Sequence, residues 1–176
     1  MKKSKLFLSM FTIATLLGSC SSDDDTPTPG TDDDGGVVEQ KDDVIESQDD
    51  PDLDPEDLHG EVRANVTISA DTEWMLTGAL KVMDGATLKI EPGVTIKARS
   101  GGTNVYIAVS QGGKIDAQGT ADSPILVTSA AENPRAGDWG GVMLAGYAQI
   151  NSGDVAETEV AGISYGGDND ADNSGT

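Results

Sequence analysis

The feature that most constrains this chain is a phrase that occurs twice. Asp84-Gly85-Ala86-Thr87-Leu88-Lys89-Ile90 is followed 27 residues later by Gln111-Gly112-Gly113-Lys114-Ile115-Asp116-Ala117. Val94-Thr95-Ile96 is followed 31 residues later by Ile125-Leu126-Val127, and the extra four residues fit the longer turn Gln118–Pro124. Within each phrase two apolar residues flank one that can face outward, which is the period of a strand. The same pattern is found in Val66-Thr67-Ile68, Leu80-Lys81-Val82, Ile107-Ala108-Val109 and Val142-Met143-Leu144. Between the runs lie Asp84-Gly85, Glu91-Pro92-Gly93, Gly101-Gly102, Gln111-Gly112-Gly113 and Asp122-Ser123-Pro124, which stop strands through positive φ or the fixed φ of proline. A strand-turn-strand unit of this length cannot bury its apolar side alone, so the units must stack. An antiparallel sandwich also uses many short strands, but it needs no internal repeat. The repeat therefore favours an all-β solenoid.

Three segments in order make the likeness more specific: Leu88-Lys-Ile-Glu-Pro-Gly-Val-Thr-Ile96, Gly113-Lys-Ile-Asp-Ala-Gln-Gly-Thr-Ala-Asp-Ser-Pro-Ile125 and Gly137-Asp-Trp-Gly-Gly141. From Val62 onward the chain resembles the right-handed parallel β-helix lipoproteins of the Bacteroidota, whose architecture is pectate-lyase-like. That resemblance implies a stacked, three-faced helix that is exported and often displayed at the cell surface. It implies no single activity. The stretch Gly166–Thr176 is polar and is not a cap, so the β-helix is expected to be incomplete at its C-terminus, with further rungs beyond Thr176.

The N-terminus sets the compartment. Lys2, Lys3 and Lys5 precede an apolar run, Leu6–Leu17, that is too short to span a bilayer, which takes roughly 20 residues. It reads as a secretory signal over residues 1–19. Leu17-Gly18-Ser19-Cys20 resembles the lipobox of bacterial lipoproteins, which implies lipidation of Cys20, the one cysteine of the chain. Ser21 in place of Asp, and the run Ser21-Ser22-Asp23-Asp24-Asp25, resemble outer-membrane sorting and surface-export signals. The expected location is the outer membrane, lipid-anchored and facing the cell exterior. Residues 20–58 are expected to form the lipidated cysteine and a disordered tether. Positions 21–58 carry 16 acidic residues against Lys41 alone, with sparse apolar residues and four prolines. Residues 59–176 are expected to form the partial β-helix.

Charge excludes some partners. The net charge is −20; removing the three signal lysines makes it −23, of which −15 lies in the tether and −8 in residues 59–176. No basic patch serves nucleic acid or an acidic membrane surface.

Catalytic chemistry is scarce. His59 is the only histidine, at the tether boundary, so a Ser/His/Asp or Cys/His nucleophile is not expected, and zinc built on His and Cys is excluded by counting. Arg135 with Asp138 could imitate a lyase base, but Asn133–Asp138 reads first as a turn. No run matches a lyase catalytic motif. Trp139 is either a sugar-stacking platform or an aromatic that closes the end of a rung, and Trp74 poses the same choice near the N-terminal end. Asp168, Asp170 and Asp172 alternate like the start of an oxygen-ligand calcium loop, although Asn173 stands where its glycine belongs. An acidic inter-rung turn is the other reading. The functional expectation is a non-enzymatic surface lipoprotein whose β-helix rod is structural, adhesive or glycan-contacting. Its partners would be the membrane through the lipid, and an extracellular glycan or protein. The alternative is the N-terminal part of a carbohydrate-active lyase or hydrolase with its catalytic residues beyond Thr176.

Overall fold

The computed structural model describes residues 43–151, 153–159 and 163–167. These residues form twelve strands: β1 (Val44–Ile45), β2 (Leu58–Val62), β3 (Val66–Ile68), β4 (Trp74–Val82), β5 (Thr87–Ile90), β6 (Thr95–Ala98), β7 (Tyr106–Val109), β8 (Lys114–Asp116), β9 (Leu126–Ser129), β10 (Val142–Leu144), β11 (Ala156–Glu157) and β12 (Ser164–Tyr165). Every pairing between named strands is parallel except β11 with β12. The antiparallel sandwich is thereby excluded, and the architecture is a parallel β-helix.

The repeats read from the sequence are the register. Leu88 pairs with Ile115, and Ile96 pairs with Val127. Strand alternation sends every second residue inward, and parallel stacking then builds columns. One runs Ile45, Val62, Val82, Val109, Leu144. A second runs Leu80, Ile107, Val142, a third Trp74, Ile96, Val127, and a fourth Val66, Leu88, Ile115. Ile45, Val62, Val82 and Val109 are completely buried, whereas Leu144 on the last described rung is 55 % exposed. Each fully buried aliphatic side chain contributes roughly 1.5–3 kcal/mol, so the columns are the main source of cohesion.

Strand β4 is a continuous nine-residue strand that later rungs divide. Its first half pairs with β6 and its second half with β7. The break is residues 99–105 in the next rung and residues 130–141 in the one after. The two breaks stack on each other: the N–H groups of Gly101 and Gly102 donate to the Asp138 carbonyl at 2.9 and 3.0 Å, and Gly140 N–H donates to Val105 O at 2.7 Å. Gly140 permits this approach, since a Cβ there would sit 3.1 Å from Tyr106 Cβ.

One boundary is corrected. The acidic tether was expected to run to residue 58, but residues 43–57 form a cap on the first rung. Ile45 and Leu58 are fully buried, and Leu53 packs against the core. Strand β1 pairs with the edge of β2. The Gln48 amide imitates a strand on the edge of β3, accepting from Thr67 N–H at 2.6 Å and donating to Thr67 O at 3.1 Å. Met75 N–H donates to Pro55 O at 2.7 Å. Average composition is dominated by the acids, while three well-placed apolar side chains supply the burial. An uncovered first rung would leave open strand edges, and this segment covers two of them.

Candidate functional site

The outward face of β4, β7 and β10 carries Ala79, Lys81, Tyr106, Ala108 and Met143, the complement of the inward columns. Residues 146–151, 153–159 and 163–166 lie over this face as an excursion whose ends meet. There Gly166 N–H donates to Gly146 O at 2.8 Å, and the Gln111 amide donates to both carbonyls, Gly146 at 2.9 Å and Gly166 at 2.7 Å. Tyr106, Ala108, Ala145 and Ile163 form a second small core beneath it.

Beside this excursion lies a groove of about 590 Å³. Its floor is Lys81, Tyr106 and Met143; Thr103, Asn104 and Gly140 come from the stacked breaks, and Glu159 from the excursion. The volume is that of a small-ligand site. Burial pushes the Tyr106 phenol upward, so it stays neutral and offers both a donor and an acceptor. The groove thus combines an aromatic ring with ammonium, amide, hydroxyl and carboxylate groups. Among the described residues its lining includes no histidine.

The residues singled out in the sequence fall elsewhere. Trp139 is half-buried, bridges to Gly102 and packs against the main core; its neighbour Gly140, not its ring, lines the groove. Trp74 is buried, with its indole N–H donating to Ser69 O at 3.0 Å. Asp138 accepts from Ser129 Oγ at 2.6 Å and from Arg135 N–H at 2.9 Å, the geometry of a turn. The Ser129 bond and then the Arg135 N–H bond outweigh desolvation, with a lesser contribution from the Arg135 charge, and hold its carboxyl below the ordinary value. Cys20, Asp168, Asp170 and Asp172 lie outside the described residues. Among the described residues no three of His, Cys, Asp and Glu are placed to hold a metal ion.

His59 is in a setting the sequence did not signal. Nε2 lies 2.6 Å from Asp43 Oδ2, Nδ1 lies 2.8 Å from the Asp57 carbonyl, and Thr77 Oγ1 is 3.4 Å from Nδ1. An Asp–His–Thr line of this kind resembles a nucleophile triad in outline. Both ring nitrogens, however, face acceptors, Asp43 at Nε2 and the Asp57 carbonyl at Nδ1, so Nδ1 is turned to a carbonyl and not held as a base for Thr77. The group is a histidine clasp between two aspartates. The groove residues Lys81, Asn104 and Glu159 were missed because they sit on turns and outward positions, where periodicity carries no information. The paired insertions in successive rungs were the available signal.

Residues 60–176 match the sequence profile of the family described as "Pectate-lyase like beta helix domain". No curated protein and no solved structure matches the chain.

Proposed function

The chain belongs to the pectate-lyase-like β-helix domain family, and on that premise we propose that it is a binding and structural module rather than a catalyst. It presents the groove over β4, β7 and β10 to an extracellular glycan. The observation that carries this reading is the groove itself, whose described lining offers hydrogen-bonding side chains from Lys81, Thr103, Asn104 and Glu159 around a tyrosine floor. Sugars are bound by such rims of amide, hydroxyl, ammonium and carboxylate groups. The β-helix is right-handed, as parallel crossovers nearly always are. A lipid on Cys20 holds it at the outer membrane with the rungs facing the exterior.

The test is a glycan array probed with the mature protein, with Lys81→Ala and Asn104→Ala as variants. Binding that weakens about tenfold in both, with the glycan recovered unchanged by mass spectrometry, supports the module. Shortened or unsaturated products would replace it with an enzyme. Palmitate labelling lost in Cys20→Ala, together with protease shaving of intact cells, tests the anchor.

A second reading rests on one observation. The inward columns reach β10 and there stand open, with Val142 49 % and Leu144 55 % exposed. Further rungs in the same register would cover them, and catalytic residues of a lyase or hydrolase could stand on those rungs. Assaying the protein in its native length for polysaccharide cleavage separates the two readings.

A further inference from the structure

We infer that the junction between the acidic segment and the β-helix is a proton-dependent latch: His59 clamps the cap, residues 43–57, by bridging its first and last carboxylates. Asp43 is the first described residue of the cap and Asp57 its last. The ring reaches both, through Nε2 to Asp43 Oδ2 at 2.6 Å and through Nδ1 to the Asp57 carbonyl at 2.8 Å and its carboxylate at 3.6 Å. The backbone beside it is built for the contact. Gly60 has φ +102°, and a Cβ there would overlap the Asp43 carbonyl oxygen, which accepts from Glu61 N–H at 2.8 Å. On the other side Gly78 leaves room for the His59 Cβ.

Charge gives the latch its sense. Residues 43–57 contain eight carboxylates and no base. The charged groups around the ring are Asp43, Asp57 and, further along the strands, Lys81 and Glu61, the last already paired with Arg63 at 2.6 Å. From β4 the ring meets the Thr77 hydroxyl, which does not titrate. Loss of the one proton therefore removes the cation between the two carboxylates and leaves them to repel each other. Desolvation lowers the pKa of His59, but the Asp57 carbonyl and the Asp57 and Asp43 carboxylates outweigh it and the net direction is upward. A raised histidine pKa adds stability that is complete below the unfolded value of about 6.5 and is lost as pH rises through the folded value. The latch is thus closed in mild acid and loosens in alkali. When it opens, fifteen residues join the preceding linker and lengthen it by at most about 50 Å. That gain in reach rests on the lipid-anchor reading; the latch does not.

The experiment is native-state amide exchange on the mature protein between pH 6 and 9, corrected for intrinsic rates, with the His59 ring followed by NMR. The amides of Glu61 and Arg63, which donate to Asp43 and Ile45, report the cap. Their protection is expected to fall about tenfold for each unit by which the folded pKa of His59 exceeds the unfolded one. His59→Gln, with His59→Asn as a second variant, should hold protection at the alkaline level throughout. Asp43→Asn should lower the His59 midpoint. Protection that does not change with pH, or that falls equally in His59→Gln, overturns the latch. Failure of Cys20 to take up palmitate would overturn the anchor and leave these exchange results untouched.

Discussion

Truncating Ile45 to alanine tests the most consequential departure from composition, the folding of an acidic segment into a cap. Ile45 has no exposed surface and heads the column Val62, Val82, Val109. Alanine removes three carbons, a loss of about 2.4 kcal/mol at ~0.8 kcal/mol per methylene. A cavity normally brings such truncations to about 2–5 kcal/mol. Ile45 lies on the outermost rung, where neighbours can collapse inward, so about 2–3 kcal/mol is expected. The assay is urea unfolding of the mature protein, with Val44→Ala as the control. Val44 is only half-buried and faces outward beside Glu61, so its truncation should cost under about 1 kcal/mol. Solenoids can fray from one end, so exchange across residues 43–62 is read in parallel. An Ile45→Ala protein within about 0.5 kcal/mol of the parent, with unchanged exchange, would mean that residues 43–57 add nothing. The solenoid would then begin at Leu58, as average composition suggests.

Three further outcomes follow from local geometry. Gly112 has φ +78° and a Cβ there would overlap the Asp84 carboxylate, so Gly112→Ala should cost about 1–3 kcal/mol; in an Asp84→Ala background only the overlap is relieved, and strictly additive costs would refute the contact. Gln111→Ala removes two of the three bonds that close the excursion, about 1–3 kcal/mol locally; proteolysis within the excursion should accelerate while the urea midpoint hardly moves, and an unchanged cleavage rate would refute the role. Ser129→Ala should let the Asp138 pKa rise toward its ordinary value, because the Ser129 hydroxyl is the chief cause of its depression. A depressed carboxylate stabilises above its unfolded pKa and loses that contribution as pH falls through the folded one. In the variant the 130–138 turn should therefore loosen at higher pH, and an identical Asp138 titration by NMR would sink the assignment.

The fold was legible where a physical constraint repeats. Inward columns demand an apolar residue at every second position of each strand, so Leu88/Ile115 and Ile96/Val127 announced their own pairing. The turns were legible for a similar reason, since Gly85, Gly93, Gly102 and Gly112 take positive φ at the separators. The cap was not legible. Val44-Ile45, Leu53 and Leu58 are too few to give a period, and the Gln48 pairing with Thr67 is a single long-range contact. The first half of β4 was likewise hidden, because Gly78 and Ala79 interrupt its alternation. Trp139 shows the limit for sites: its prominence in the sequence reflects its packing against the core, while the groove beside it is made by Thr103 and Asn104, whose residue types are common in any turn.

The placement of the groove follows from how a stacked fold can vary. Interior columns fix the strands, because each inward side chain must fit the rung below it. Variation is therefore confined to the breaks between strands, and here the break that is absent in β4 grows from residues 99–105 to residues 130–141 across two rungs. The groove walls come from those breaks and the floor from outward positions. None of Lys81, Thr103, Asn104 and Glu159 belongs to the buried core. The groove walls and the cohesion of the columns are thus carried by different residues of the same rungs. Substituting the walls should change what is bound while leaving the unfolding midpoint in place, and substituting Val82 or Ile107 should do the reverse. A wall variant that unfolds as readily as a column variant would show that the loops hold the rungs together, and the separation argued from the columns would fail.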